Sequence, residues 1–238
     1  MVSNIHRLLL KSSQITVKNL DVYLSYAQII YAYADKEDNE FYNHYAFELT
    51  QVLIKVLNSG KTQHPIHLMY ISQFLNLSIS AGFVHAKLEN IFTKVDDFLK
   101  EELQKEQVDK MLLIQGLFYI AGRFQNIAGK ADHQNDLINY YELGLKKLKG
   151  LFYNNELSNG FVLEEFLPKE NIVGNCKHFN TFLLNKENTA RLKVALSENL
   201  KKDSRDELKK LLLVTYNEVT NHAGLYIPQL VFYLNLIR

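Results

Sequence analysis

Between residues 20 and 153 the chain alternates, three times, a stretch that is apolar on nearly every side with one whose apolar residues fall on a single stripe. The near-apolar stretches begin near residues 20, 65 and 110, a period of roughly 45 residues that lies in the range of helical repeats. A helix apolar all round needs neighbours on most sides, whereas a singly striped one can turn its other face to water. The pattern therefore predicts an all-α protein built as an array of antiparallel helical hairpins. An inner row of apolar helices would be backed by an outer amphipathic row. A generic helical bundle meets the same burial requirement with other connections and is the rival architecture.

In the first hairpin Leu20, Tyr23, Leu24, Ala27, Ile30, Tyr31 and Ala34 recur at helical spacing until the polar run 35–39. The second helix carries Phe41, Tyr45, Leu49, Val52, Leu53, Val56 and Leu57 on one side and Asn43, Glu48, Gln51 and Lys55 on the other. Asn58-Ser59-Gly60 reads as its stop. Pro65 suits a first helical turn, and the apolar run 66–79 ends near Gly82. Leu88, Ile91, Phe92, Val95, Phe98, Leu99 and Leu103 then form the clearest stripe, opposite Lys87, Glu89, Lys94, Asp96, Asp97, Lys100 and Glu101. Residues 111–124 are apolar apart from Gln115, Gly116, Gly122 and Arg123. A charged partner with Leu137, Tyr141, Leu145, Leu148 and Phe152 facing inward completes the third hairpin.

Beyond residue 153 the regularity fails. The segment 154–180 holds Gly160, Pro168, Gly174 and the cluster Phe161-Val162-Leu163, which reads as a short strand or an ordered loop. Helical character returns over 189–200, 205–219 and 226–237, and the last of these is apolar enough to dock into the core. The expected organisation is one helical domain over 1–238, with hairpins over 18–153, the irregular segment, and C-terminal helices over 181–238. Sparse breakers, 3 Pro and 10 Gly, agree with long helices.

Charge and cysteine content narrow the function classes. With 27 basic and 26 acidic side chains the net charge is +1, so no bulk field draws the chain to nucleic acid or to an anionic membrane surface. Leu8 to Leu10 is too short for a signal peptide core, and every longer apolar stretch is interrupted by polar residues. A cytoplasmic protein without nucleic-acid or membrane partners is expected. The single cysteine, Cys176, excludes an intrachain disulfide framework and a cysteine-rich zinc knuckle.

Cys176 and His178 are two apart, which in a strand would put a nucleophile and a base, or half a metal site, on one face. A structural role is the simpler reading, with His222 or His64 as partners only through space. His64 and His67 flank Pro65 at a spacing able to hold zinc, yet no His-Glu-x-x-His pattern accompanies them. His85 and His133 suit helix starts. Ser25, Gln28, Ser72, Gln73, Asn76, Ser78, Gln115 and Arg123 are polar groups inside the apolar helices, and buried polar groups require hydrogen-bond partners. They line a cavity if the inner row encloses one, or bond to each other if the core is sealed. Gly116 and Gly122 lack the strand and the Gly-Lys-Ser/Thr of a phosphate loop, so close helix approach explains them. Lys146, Lys147 and Lys149, like Lys209-Lys210, lie among leucines and read as solvated faces.

The segments His67 to Leu103 (HLMYISQFLNLSISAGFVHAKLENIFTKVDDFLKEEL) and Met111 to Phe124 (MLLIQGLFYIAGRF) resemble the lanthionine synthetase C-like family, with Gln115-Gly116 at the position of a His-Gly step. Asn221 to Phe232 (NHAGLYIPQLVF) is similar to an Ala-His-Gly-Ile-Pro type segment. The resemblance implies an α/α toroid, partial or open because the chain is short for seven hairpins. Family cyclases hold zinc with two cysteines and a histidine. One cysteine and Gln115 imply a degenerate member without the zinc ligands, the cyclase chemistry or a cofactor.

No catalytic residue and no metal ligand is assigned. The expected function is a non-catalytic scaffold that binds a protein or peptide, accessory to peptide modification, with homodimer formation through the apolar C-terminal helix. The alternative is a small enzyme or ligand-binding protein whose polar pocket between the inner helices draws on His67, Gln73, Gln115, Arg123, Cys176 and His178.

Overall fold

The computed structural model describes residues 3–59, 64–80, 82–85, 89–126, 131–153 and 207–222. Among these residues there are eight α-helices and no strands. They are α1 (Asn4–Leu10), α2 (Leu20–Lys36), α3 (Glu40–Asn58), α4 (Pro65–Ser80), α5 (Glu89–Gln104), α6 (Lys110–Asn126), α7 (Ala131–Tyr153) and α8 (Glu207–His222), with a 3-10 turn at Ser12–Gln14. None is long and apolar enough to cross a membrane. The all-α expectation holds. The strand-or-loop reading of 154–180 and the helices expected over 189–200 and 226–237 lie outside the described residues, as does the C-terminal dimer helix.

Helix α1 was not legible as an amphipathic pattern because seven residues span only two turns. Its start is instead set by Ser3, whose side chain accepts a hydrogen bond from the backbone N–H of His6. Helices α2 and α4 end in the same way. Asn39 N–H reaches back to the Ala34 carbonyl and Asp38 N–H to Asp35, while Phe83 N–H reaches Ser78 and Gly82 N–H reaches Ile79. Both are Schellman closures, with Asp38 (φ 47°) and Gly82 (φ 78°) in the left-handed position that lets the chain reverse.

Packing groups the residues into two compact units. The first comprises Met1–Lys61, Leu77–His85 and Leu183–Arg238. Within it α2 is the inner helix of its hairpin, with 13 of its 17 residues buried, against only Ala46, Thr50, Leu53 and Leu57 in α3. Helix α8 runs parallel to α2: Lys209 pairs with Asp21 at 3.3 Å, and ten residues later Val219 joins Ala32 in a buried cluster against Tyr33 and Phe83. Antiparallel to α8 lies α1, with Asn4 Nδ2 donating to Glu218 Oε1 at 2.6 Å and Lys11 pairing with Glu207 at 3.5 Å.

The α3 register corrects one expectation. Its buried residues are spaced i, i+4, i+7 and i+11, which turns Phe41 and Val52 to the opposite, solvent side. The sequence pattern puts both on the same side as Leu53.

The second unit comprises Thr62–Asn76 and Ala86–Phe182. Here α4 and α6 are buried along most of their length, whereas α5 buries chiefly Phe92, Val95, Leu99 and Leu103. Helices α5 and α6 are antiparallel, since Leu99 meets Gly116 while Phe92 and Asp96 meet Tyr119 and Arg123. Contacts between α5 and α7 instead advance in one direction, Leu103 with Gly144 and then Lys105 with Lys147. The inner and outer assignments of these helices thus follow the sequence pattern. A Cβ at Gly116 would stand 2.7 Å from Leu99 Cδ1, so the absent side chain permits the approach of α5 to α6. Gly122 has no such role, its nearest neighbour being Asn76 Cβ at 3.9 Å.

Candidate functional site

The polar residues singled out inside the apolar helices are buried: Ser25 and Gln28 in α2, Ser72, Gln73, Asn76 and Ser78 in α4, and Gln115 and Arg123 in α6. In the second unit they form two arrangements. Gln73 Nε2 donates to Gln115 Oε1 at 2.8 Å and to the Gln115 backbone carbonyl at 2.6 Å, tying α4 to α6. Gln73 Oε1 and Gln115 Nε2 stay without partners, and both are enclosed by protein, with no surface that solvent reaches. An unmet buried donor or acceptor costs about 1–3 kcal/mol. The amide pair therefore contributes directional specificity to the packing of α4 on α6 more than net stability.

Arg123 lies eight residues farther along α6, about 12 Å up the axis, and pairs with α5. Its Nε stands 3.5 Å from Asp96 Oδ2, and its guanidinium carbon stacks 4.7 Å from the centre of the Phe92 ring. Tyr119, one turn before Arg123, donates its hydroxyl proton to Asp96 Oδ1 at 2.6 Å and lies 3.3 Å from the Phe92 carbonyl. Full burial and the charge of Asp96 hold the Tyr119 phenol protonated, well above its ordinary range.

The sequence pattern puts Asp96 on the polar face of α5, opposite the apolar stripe, and the structure turns its side chain inward. Its side chain is 13% exposed and receives both partners from α6. The position lies one turn beyond Phe92, at the edge of the apolar stripe, where a short carboxylate reaches inward. Together these groups bring one carboxylate, one guanidinium on an aromatic face and one protonated phenol between α5 and α6. Such a set fixes α5 on α6. It offers neither a free base nor an exposed nucleophile.

The first unit has a second polar layer, formed by Tyr26 together with Tyr23 and Tyr31 of the apolar stripe. Tyr23, Tyr26 and Tyr31 of α2 direct their hydroxyls to α3, reaching the Leu49 carbonyl at 3.1 Å, Tyr45 at 3.2 Å and Thr50 at 2.9 Å. Burial pushes the Tyr23 and Tyr31 phenols up to about 12 and that of Tyr26 higher still. Tyrosine at helical core spacing signals such a layer, because a buried phenol needs a partner for its hydroxyl.

Among the described residues, the histidines singled out in the sequence lie at helix ends. His67, in the first turn of α4, faces His64 with ring centres 5.7 Å apart, six residues before Gln73. His85 is exposed beyond the end of α4, and His133 falls in the first turn of α7. Cys176 and His178 lie outside the described residues. Among the described residues no group of three or more His, Cys, Asp or Glu side chains is placed to hold a metal ion.

What the outer helix α3 presents is aromatic. Phe41 is 72% exposed, and Phe47 and Val52 are exposed with it. Compared with models of known families, with characterised proteins and with solved structures, the chain matches none.

Proposed function

We propose that the protein is a non-catalytic helical scaffold that binds a protein or peptide. The exposed aromatic face of α3 carries this reading. A phenylalanine left in water forgoes about 1.5–3 kcal/mol of burial, and apolar side chains gathered on one outer face mark interaction sites. The inward-facing titratable groups support the same reading from the other side. Asp96, Arg123 and Tyr119 pair with one another across α5 and α6, so their polar groups serve the packing of those two helices.

A peptide partner also agrees with the resemblance to lanthionine synthetase C-like proteins, in which case the scaffold is accessory to peptide modification. Binding to a panel of peptides graded in charge and apolar content tests the reading, with each peptide weighed by mass spectrometry afterwards. Saturable binding of a subset, with every peptide recovered unaltered, is expected. Failure of every peptide to bind, or recovery of a covalently changed one, overturns it.

A further inference from the structure

The solvent-facing side of the first two turns of α3 is assembled from both apolar and acidic residues. Glu40, Phe41, His44, Phe47 and Glu48 recur at i, i+4 and i+7 spacing and share one face, and all five are exposed. The turn that leads into this face is acidic as well, so the segment 35–48 holds five carboxylates and one lysine in a chain whose net charge is +1. Lys36 pairs with Glu37 at 3.8 Å, and His44 Nε2 stands 3.4 Å from Glu48 Oε1. Asp35, Asp38 and Glu40 have no cationic partner among the described residues. Repulsion is felt within the cluster: burial, and then the charge of Asp38, raise the Asp35 carboxyl above its usual range.

The aromatic component is anchored. Phe41 meets Tyr42 edge-on at 5.4 Å, and Tyr42 meets Tyr33 of α2 edge-on at 4.9 Å, which gives a row of three rings from a half-buried base to an exposed tip. The tip is also held by its backbone, since the Asn39 side chain accepts from Phe41 N–H at 3.0 Å. A preorganised ring loses little freedom on binding.

From this juxtaposition we infer that the α2–α3 corner docks a basic segment of a partner protein, with apolar side chains against Phe41 and Phe47 and Lys or Arg against the carboxylates. The inference rests on the scaffold reading and names its site and partner class. The sign of the charge selects the occupant. Carboxylates repel nucleic acid and anionic lipid and attract cationic side chains. Arginine and lysine can also stack on the aromatic faces.

The test uses the whole chain and a fluorescein-labelled peptide of repeated Lys-Leu-Lys-Phe, with a counterpart carrying Glu for each Lys, followed by anisotropy. The basic peptide binds and the acidic one does not. Phe41→Ala weakens binding about tenfold, the loss expected for an interface anchor. The double variant Glu40→Lys/Glu48→Lys leaves three carboxylates against three lysines in the segment and removes the preference between the two peptides. Raising salt from about 0.05 M to about 0.5 M weakens the parent complex by screening its charges. All three positions are exposed, so the variants retain the fold, which circular dichroism checks.

Basic-peptide binding that all these substitutions leave unchanged overturns the inference while the scaffold reading stands. Failure of both these peptides and of the whole graded panel overturns both. A dimer in native mass spectrometry that Phe41→Ala dissolves also overturns the inference, because the occupant is then a second copy.

Discussion

Asp38 and Gly82 occupy the same place in two helix ends, and the chemistry of each decides its cost. In the left-handed region a side chain crowds the backbone, which glycine avoids and an aspartate tolerates at an expense. A carboxylate at a helix C-terminus also opposes the macrodipole. Asp38→Gly is therefore expected to raise stability by about 0.5–1 kcal/mol, and Gly82→Ala to lower it by about 1 kcal/mol. Denaturant unfolding of the two variants checks both signs. Residue identity alone flagged Gln73, Gln115 and Arg123, because polar groups in an apolar helix must find partners. It could not supply Asp96, since a carboxylate at the border of a stripe reads as solvated until the facing helix is known.

At the scale of elements, the Asp96–Arg123 pair fastens α5 to α6 and the tyrosine layer fastens α2 to α3. Asp96→Ala removes the carboxylate beside the buried guanidinium of Arg123, 2% exposed, and the shorter of the two hydrogen bonds that Tyr119 donates. A loss of about 3 kcal/mol in unfolding free energy is expected, as for other buried pairs that lose one member. The tyrosine layer makes stability fall at alkaline pH. The Tyr23 and Tyr31 phenols titrate near 10 when unfolded and at about 12 when folded. Their contribution is complete below pH 10 and is lost as pH rises toward 12, by about 1 kcal/mol per pH unit for each tyrosine. Stability measured from pH 9 to pH 12 should show this slope, and Tyr31→Phe should lessen it.

For the molecule as a whole, a near-balance of charge conceals local asymmetry, with carboxylates gathered at the α2–α3 corner of a chain that is +1 overall. The sequence by itself determined the helical class and which helices are inner, because only an all-round apolar helix tolerates burial on most sides. Thus α2, α4 and α6 were legible as inner and α3 and α5 as outer. It also marked the polar side chains inside the apolar helices. The tertiary structure alone decided what those groups meet and which face α3 turns outward. Phe41 and Leu53 fit one broad stripe on paper, and the packing of Ala46, Thr50, Leu53 and Leu57 sends Phe41 to solvent. The pairing of α8 with α2 was equally hidden. A contact between segments far apart in the chain leaves no periodicity in either, and it exists only once both helices have folded and packed.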